Sequence, residues 1–284
     1  MLFKELVNLG RKYLEDNNIE DSSIISKILI EYLCDISRES VVYHYEDVIE
    51  IDKVNRYKEL LNKVVEGIPV QYITNRQEFM GLEFYVDENV LIPQPDTEIL
   101  VEEVIEKYKD RECKILDLCT GSGAIGIALA KYIEGSEVFA SDISCKALQI
   151  AKLNAERNLV HRKMNFIESN MFENLAKFKA EKFDVIVSNP PYIKSDVINQ
   201  LDIQVKNEPH LALDGGADGL EFYRLIVDNA NLYLKDNGML FLEIGYDQRD
   251  SVIKLLKKNN CYSDIYSKKD LGGNDRIVVS TIRR

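Results

Sequence analysis

The stretch ILDLCTGSGAIG at residues 115–126 decides the fold of this chain. Its first four residues are mostly apolar, and so short an apolar run predicts a buried strand. Gly121 and Gly123 follow at once, and glycine lets a backbone turn sharply and approach a ligand closely. Because an apolar helical pattern opens at Ala124, the stretch predicts a strand, a glycine turn and a helix in succession.

The chain beyond Pro93 and Pro95 alternates between helical and strand patterns to its end. Such alternation predicts a mostly parallel sheet with helices on both faces. The last two strands share only a short connection at Gly272-Gly273, so one of them should run antiparallel. We therefore predict an α/β, Rossmann-like domain with a seven-stranded, mostly parallel sheet and one antiparallel strand. The predicted helices cover residues 97–109, 124–133, 145–157, 219–234 and 247–259, and the strands cover residues 114–118, 137–141, 165–168, 184–188, 239–244, 262–267 and 276–281.

The first part of the chain predicts a small helical bundle over residues 1–74. One helix should cover residues 3–17, a second should be capped near Asp21, and a third should cover residues 52–66 and stop at Gly67. The apolar positions that we expect to face the bundle core are Leu2, Leu6, Leu9, Tyr13 and Leu14 in the first helix and Ile25, Leu29, Tyr32 and Ile36 in the second.

A change of period separates this bundle from the sheet domain. Apolar residues alternate with polar ones between residues 79 and 91, which predicts a β-hairpin. We therefore divide the chain into a helical domain at 1–74, which we expect to dock the substrate, a β-hairpin linker at 75–92, and the sheet domain at 93–284.

Composition narrows the classes of function. A net charge of −12 argues against a broad nucleic-acid footprint, which needs a clustered basic face. The five cysteines form no C-x-x-C pair, so neither a zinc site nor a disulfide framework is expected. The chain shows no signal-peptide pattern and no apolar run of 18 residues, so we expect a cytoplasmic protein without a membrane span.

Polar side chains at successive strand ends predict a nucleoside site. Asp142 ends the predicted second strand, where its two oxygens can accept hydrogen bonds from ribose hydroxyls, as in any nucleoside-binding sheet. Asp117 precedes the glycines, where it would repel a pyrophosphate but suits a sulfonium and an ammonium group. Asn170 should lie near an adenine edge, and Met171 could pack on the base. These features favour S-adenosylmethionine over a dinucleotide, although each residue alone could simply cap a helix or end a loop.

The tetrapeptide NPPY at residues 189–192 follows the predicted strand at 184–188. Two consecutive prolines cannot continue a central strand, so the strand must stop and a stiff loop must follow. The Asn189 amide oxygen and the Pro190 carbonyl would accept hydrogen bonds from an NH₂ group, and Tyr192 offers a ring on which a planar group can stack. The loop is thus suited to a planar nitrogen nucleophile.

These motifs together resemble those of class I S-adenosylmethionine-dependent methyltransferases, and more closely the HemK/PrmC family, the N5-glutamine methyltransferases of peptide chain release factors. The resemblance covers nearly the whole chain. It rests on PVQYI at 69–73, FMGLEF at 79–84, VLIPQPDTE at 90–98, DLCTGSGAIGIALA at 117–130, SNPPYI at 188–193, EPHLALDGG at 208–216, LEIG at 242–245 and KDLGGNDR at 269–276.

The resemblance implies a role for each motif. Contacts to S-adenosylmethionine are implied for Cys119, Thr120, Gly121, Ser122, Gly123, Asp142, Asn170, Met171 and Asn189, in addition to Asp117. The substrate amide is implied to lie against Asn189, Pro190, Pro191 and Tyr192, with Asn189, Pro190 and Tyr192 taking part in catalysis. No metal is implied. The sequence departs from the family pattern at Gln94, where the family usually has Arg, and at Cys119, where Gly is more usual.

The implied reaction moves a methyl group from S-adenosylmethionine to the side-chain amide nitrogen of the glutamine in the GGQ motif of release factors 1 and 2. No direct contact with nucleic acid is expected. Two alternatives remain open from the sequence. An N6-adenine methyltransferase of DNA or RNA would also hold a planar NH₂ group in such a loop, and a protein that binds S-adenosylmethionine without turnover would share the nucleoside contacts.

Overall fold

The computed structural model describes residues 1–37 and 40–283, and the side chain of Val42 is not described. The described chain forms two compact units. The helical unit contains Met1–Asn75 together with Asp202–Asn207, and the sheet unit contains Arg76–Leu201 together with the chain from Glu208 onward. No helix in the described residues is long and apolar enough to cross a membrane.

The helices and strands follow in chain order. The helices are α1 (Phe3–Asp16), α2 (Ser22–Cys34), α3 (Ile51–Val65), α4 (Val70–Thr74), α5 (Glu98–Tyr108), α6 (Ala124–Tyr132), α7 (Cys145–Arg157), α8 (Phe178–Glu181), α9 (Ile203–Lys206), α10 (His210–Leu213), α11 (Glu221–Tyr233) and α12 (Arg249–Lys258). The strands are β1 (Gln77–Phe79), β2 (Leu82–Phe84), β3 (Cys113–Leu118), β4 (Ser136–Asp142), β5 (Met164–Glu168), β6 (Phe183–Ser188), β7 (Leu234–Glu243), β8 (Tyr262–Lys269) and β9 (Asp275–Ile282).

The first helix buries a different stripe from the one predicted. The buried residues of α1 are Phe3, Leu6, Val7, Gly10 and Leu14, whereas Tyr13 is exposed and donates from its hydroxyl to Asn62 Oδ1 over 2.7 Å. The shift follows from Gly10, because a Cβ there would lie 2.0 Å from the hydroxyl oxygen of the buried Tyr57. Helix α1 therefore brings its glycine against Tyr57 of α3, while Tyr13 stays at the surface and reaches α3 only through its hydroxyl.

The second helix differs in a similar way. Ile25 and Leu29 are buried as predicted, but Tyr32 is exposed, and the polar residue Ser26 is buried. The Ser26 hydroxyl donates to the Val7 carbonyl over 2.7 Å and lies 2.8 Å from the Tyr57 hydroxyl. A buried polar pair of this kind carries no apolar signal in the sequence, so an apolar stripe alone does not predict that Ser26 is buried.

A segment from late in the chain completes the helical unit. Helix α9 lies in the segment 202–207, where Asn207 Nδ2 donates to the Gly67 carbonyl over 2.8 Å. Gly67 has a φ of +93°, and a Cβ there would lie 2.6 Å from Ile203 Cγ1. Gly67 therefore ends the turn after α3 and also leaves room for Ile203.

The hairpin is shorter than the predicted alternation. Strands β1 and β2 pair antiparallel through the turn at Met80-Gly81, with Gln77 opposite Phe84. Beyond Phe84 the chain leaves the ladder, because the Tyr85 N–H donates instead to Asn154 Oδ1 over 2.7 Å. Alternation continues to Val86, which is buried, so the period of two outlasts the strand itself.

The seven-stranded sheet has the predicted α/β character. Its strand order is β5-β4-β3-β6-β7-β9-β8. Every pairing is parallel except those of β9, which runs antiparallel to both β7 and β8, and this confirms the predicted fold. The strand order reverses at β3, whose neighbours are β4 and β6, and ligands bind at the carboxyl ends of strands at such a switch point.

Candidate functional site

The strand ends around the switch point open into one cleft. The residues that follow β3, β4, β5 and β6 all contribute to its walls, and it encloses about 900 Å³ of space that is partly open to solvent. Its walls are formed by Asn89, Val90, Leu91, Leu118, Cys119, Gly121, Ser141, Asp142, Ile143, Ser144, Ala147, Ser169, Asn170, Met171, Asn189, Pro191, Pro209, Leu211, Ala212 and Phe222.

The glycine turn after β3 is held from beneath by a buried carboxyl. Asp117 Oδ2 accepts from the Thr120 hydroxyl over 2.6 Å and from the Gly126 N–H over 3.0 Å. A Cβ at Gly126 would lie 2.9 Å from this oxygen, so α6 can approach β3 only with glycine at that position. Burial raises the pKa of Asp117 to about 7, and its Oδ1 has no hydrogen-bond partner among the described residues. Asp117 is thus placed under the turn and not on the cleft wall.

The acid at the end of β4 connects the glycine turn to α7. Asp142 Oδ2 accepts from the Gly121 N–H over 2.9 Å, and Oδ1 accepts from the Ser144 N–H over the same distance. Gly121 has a φ of +55°, and a Cβ there would meet no atom within 4 Å. Burial raises the pKa of Asp142, because its effect exceeds that of the backbone hydrogen bonds, which lower this pKa. Each oxygen of this carboxylate keeps a second lone pair for a ligand in the cleft.

Two sulfur side chains face each other across the cleft floor. Cys119 and Met171 both have a positive φ, of 60° and 47°, and their sulfur atoms lie 3.8 Å apart. Burial raises the pKa of the Cys119 thiol far above its usual range, so it remains a protonated packing group. Asn170 is exposed at the rim, where its Nδ2 donates to Glu173 Oε1 over 2.9 Å.

The NPPY loop presents only part of itself to the cleft. Asn189 and Pro191 form part of the wall, whereas Pro190 is buried outside it. Tyr192 lies behind the wall. Its carbonyl accepts from Gln248 Nε2 over 2.9 Å, and burial raises the pKa of its hydroxyl above its usual range. The Nδ2 group of Asn189 points to the Thr97 hydroxyl at 3.4 Å.

The EPHLALDGG segment forms the opposite wall and braces the loop. The Ile193 N–H donates to the Leu213 carbonyl over 3.0 Å, and the Gly215 N–H donates to the Ile193 carbonyl over 2.8 Å. A Cβ at Gly215 would lie 2.7 Å from the Tyr192 Cα, so only glycine lets the two loops approach this closely. In the sequence, only the family resemblance points to this segment, because the residues that it contacts lie some way from it along the chain.

Two buried acids near the cleft were missed by the sequence reasoning. Glu208 Oε2 accepts from the Ile92 N–H over 2.9 Å, which holds the segment that carries Leu91 and Val90. Glu243 ends β7 and is buried with Oε2 unpaired among the described residues. Only the EP and LEIG motifs of the sequence could have pointed to them.

The structure therefore divides the predicted site residues into two groups. Those that line the cleft are Cys119, Gly121, Asp142, Asn170, Met171, Asn189 and Pro191. Those that lie outside the cleft wall are Asp117 in β3 and, in the loops that follow β3 and β6, Thr120, Ser122, Gly123, Pro190 and Tyr192. Within residues 1–37 and 40–283, no three His, Cys, Asp or Glu side chains form a group that could hold a metal ion.

Comparison with known proteins extends over the whole chain. The family description "PrmC N-terminal domain" matches residues 5–74, and "Methyltransferase small domain" matches residues 94–215. The release factor glutamine methyltransferase of Clostridium acetobutylicum is 38% identical over 282 residues, which cover 99% of this chain and 98% of the relative. The enzyme of the same name from Bacillus subtilis is 34% identical, with 99% and 98% of the two chains covered.

The chain belongs to the release factor glutamine methyltransferase family. It is therefore a methyltransferase that takes its methyl group from S-adenosylmethionine, as the resemblance implied. A methyltransferase structure from Pyrococcus furiosus shares the fold, with a TM-score of 0.53 at 19% identity, over 81% of this chain and 99% of that one.

The cleft fits the methyl donor of this family. Asp142 keeps free lone pairs for ribose hydroxyls, Gly121 leaves the space above the turn open, and Met171 with Phe222 gives an apolar wall suited to a flat base. Asp142 also places a carboxyl in the cleft wall beside the turn, which suits a cationic ligand.

The buried Glu208 predicts a pH-dependent loss of stability. Burial raises the pKa of Glu208 from 4.5 to about 7, so the folded state holds its proton more tightly than the unfolded state does. The contribution of Glu208 to stability should therefore be highest below about pH 4 and fall as the pH rises to 7. Glu208→Gln keeps an acceptor for the Ile92 N–H without this charge. Its free energy of unfolding should exceed that of the wild type by on the order of 3 kcal/mol above pH 7, and the two should converge towards pH 4.

Urea unfolding of both proteins between pH 4 and pH 8 measures this difference. Glu20→Gln, at an exposed position, is the matched control and should follow the wild type at every pH. A stability difference between Glu208→Gln and wild type that does not change with pH would contradict the prediction.

Proposed function

We propose that this protein transfers a methyl group from S-adenosylmethionine to the side-chain amide nitrogen of a glutamine in peptide chain release factors 1 and 2, at the glutamine of the GGQ motif. The carrying observation is the full-length similarity to release factor glutamine methyltransferases, which includes the helical unit as well as the sheet unit. Asn189 and Pro191 line the cleft, where the Asn189 amide can supply an acceptor that such a substrate needs.

An amide nitrogen is a weak nucleophile because its lone pair is delocalised into the carbonyl. The chain can raise its reactivity by orienting it and by accepting its two N–H bonds. The Asn189 amide oxygen is one such acceptor. We assign the second acceptor to the Pro190 carbonyl, which directly follows Asn189 and accepts none of the described backbone–backbone hydrogen bonds. Neither group needs to change its protonation state, so the loop can act as a fixed clamp.

We assign the methyl donor to the side of the cleft formed by β3, β4 and β5. Bound S-adenosylmethionine supplies an activated methyl group on a positively charged sulfur. Asp142 would hold the ribose through the lone pairs that Gly121 and Ser144 leave free. Asn170 and Met171 would contact the adenine, and the backbone of residues 119–123 would line the amino-acid part.

The helical unit is proposed to dock the release factor. It exposes large apolar side chains on one stretch of chain. Tyr43 is 85% exposed, Val48 76% and Ile51 70%. Exposed aromatic and aliphatic side chains of this kind are typical anchors of protein interfaces.

The direct test is mass spectrometry of release factors after incubation with the protein and S-adenosylmethionine. One added methyl should appear on the GGQ glutamine, and a release factor with that glutamine changed to glutamate should gain none. An adenine-containing DNA or RNA in the same assay distinguishes the proposed activity from that of an N6-adenine methyltransferase. Methylation of the nucleic acid without methylation of the release factor would overturn the proposal.

Asp142→Ala should weaken the binding of S-adenosylmethionine. Hydrogen bonds to a charged group contribute roughly 1.5–3 kcal/mol, so the Kd should rise about ten- to a hundredfold. Isothermal titration calorimetry measures the Kd, with Asp110→Ala on the exposed surface as the control. An unchanged Kd for Asp142→Ala would mean that the ribose lies elsewhere.

Asn189→Ala should act mainly on the chemical step. It removes one acceptor from the clamp but leaves Pro190 and Pro191 to shape the loop. We expect kcat to fall on the order of a hundredfold, the scale for loss of one preorganised electrostatic contact. The assay uses saturating release factor and S-adenosylmethionine. A kcat within about twofold of wild type would place the clamp outside NPPY.

A double substitution, Tyr43→Ser with Ile51→Ser, should impair docking alone. The KM for the intact release factor should rise about tenfold, which corresponds to roughly 1.4 kcal/mol, while kcat and the Kd for S-adenosylmethionine stay unchanged. Leu159→Ser, which removes an exposed leucine from the sheet unit, is the control. If KM is unchanged in the double variant, this stretch is not the docking surface.

A further inference from the structure

The clamp proposed above works only if Asn189 presents its oxygen to the cleft. A side-chain amide is an acceptor at one end and a donor of two hydrogens at the other. The target NH₂ group needs the acceptor end. If the Asn189 amide were rotated so that its own NH₂ group faced the cleft, that group would face the NH₂ group of the substrate, and two donors would oppose each other. The orientation of Asn189 therefore has to be fixed by the residues behind it.

Two acceptors lie behind Asn189. Its Nδ2 points to the Thr97 hydroxyl oxygen at 3.4 Å. The pairing of Ser188 with Leu242 sets Asn189 beside Glu243 at the ends of β6 and β7, near enough for the Asn189 side chain to lower the pKa of the Glu243 carboxyl. The Thr97 hydroxyl also lies near enough to this carboxyl to lower its pKa as a hydrogen-bond donor. Glu243 is 2% exposed and is not part of the cleft wall, so it touches the clamp only from the rear.

We infer that Glu243 is a positioning residue: its carboxylate and the Thr97 hydroxyl hold the Asn189 NH₂ group away from the cleft and so fix Asn189 Oδ1 towards the substrate amide. The inference rests on the proposed function. A carboxylate can only accept hydrogen bonds. It therefore makes Thr97 donate towards it and leaves the Thr97 lone pairs for Asn189 Nδ2. The negative charge of Glu243 thus sets the direction of both hydrogen bonds in the series from Glu243 through Thr97 to Asn189.

The surroundings of Glu243 support this role. Burial raises its pKa to about 7, while hydrogen bonds from Thr97 and Asn189 and the Arg276 charge act in the opposite direction. Arg276 is itself held by Asp96 at 3.0 Å and by Asp270 at 2.9 Å. A buried acid with one unpaired oxygen is costly, so the site keeps it at the expense of stability. Assays at pH 8 hold the carboxyl ionised.

Glu243→Gln is the decisive variant, because it keeps the size of the side chain but adds a donor. The new NH₂ group can donate to Thr97 or to Asn189 Oδ1, and either contact favours the reversed amide. We expect kcat for release factor methylation to fall about ten- to a hundredfold. The Kd for S-adenosylmethionine should stay within about twofold, since Glu243 does not line the cleft. The Tm should not fall, because the variant removes a buried charge.

Asn189→Asp combined with Glu243→Gln tests the direction of the hydrogen bonds. Alone, Asn189→Asp places two carboxylates side by side. In the double variant the new glutamine donates to the aspartate, whose other oxygen faces the cleft as an acceptor. The double variant should therefore be more active than Asn189→Asp alone, by about fivefold or more. Thr97→Ser should behave like the wild type, whereas Thr97→Val should lose activity.

A readout without substrate separates this inference from the proposed function. In ¹H–¹⁵N spectra, the Asn189 NH₂ signals can be identified by their loss in Asn189→Asp. They should be protected from hydrogen exchange in the wild type and lose about tenfold or more of that protection in Glu243→Gln. A wild type that methylates no release factor but shows this protection would overturn the proposed function and leave the orienting contact in place.

Two results would overturn the inference itself. One is a kcat for Glu243→Gln within about twofold of wild type, together with unchanged exchange of the Asn189 NH₂ group. The other is a loss of kcat that comes with an equal loss of S-adenosylmethionine affinity and a lower Tm, because that pattern belongs to a residue that supports the fold as a whole.

Discussion

The parallel pairing of β3 with β6 is the constraint on which the site depends. The register sets Leu118 opposite Ser188, and the Ser188 hydroxyl donates to the Leu118 carbonyl over 2.8 Å. The glycine turn and the NPPY loop therefore leave the sheet from neighbouring residues. A slip of one residue would turn every side chain of β6 to the other face and separate the two loops. The apolar residues on both faces of these strands make such a slip costly. The packing of the core therefore sets the relative positions of the glycine turn and the NPPY loop.

Buried carboxyls, rather than apolar contacts, hold the loops at this edge. Asp117 supports the glycine turn, Glu208 holds the segment at Ile92, and Glu243 lies behind Asn189. Burial raises the pKa of each of these three acids to about 7. Each costs stability, because an ionised group loses its hydration in the core. A carboxyl fixes the direction of a hydrogen bond, which an apolar side chain cannot do. A site that must orient an amide depends on such directional contacts more than on non-directional apolar ones.

The sequence predicted what depends on local pattern and failed where contacts are distant. The run at 115–126 carries a strand period, glycines and a helix period within twelve residues, so the central unit was readable. An apolar stripe predicts Tyr13 and Tyr32 in the bundle core, yet both are exposed, and the core instead places Gly10 and Ser26 against Tyr57. No pattern around residue 202 shows that this segment belongs with residues 1–75.

The same limit explains the candidate site. Residues at strand ends can be predicted from the sequence, because a strand end followed by Asp or Asn is a local signal. Asp142 and Asn189, which this signal predicts, both line the cleft. Glu243 sits 54 positions beyond Asn189 in the numbering, and only the sheet order β6-β7 brings the two strand ends side by side.

Adjacent strands lie about 4.8 Å apart, and reacting atoms must come within about 3–3.5 Å of each other for efficient transfer. A donor held over β3 and an acceptor held over β6 are therefore brought near that distance by the sheet itself. The loops need only supply the last part of the alignment, which is why a small set of oriented hydrogen bonds is enough to complete the site.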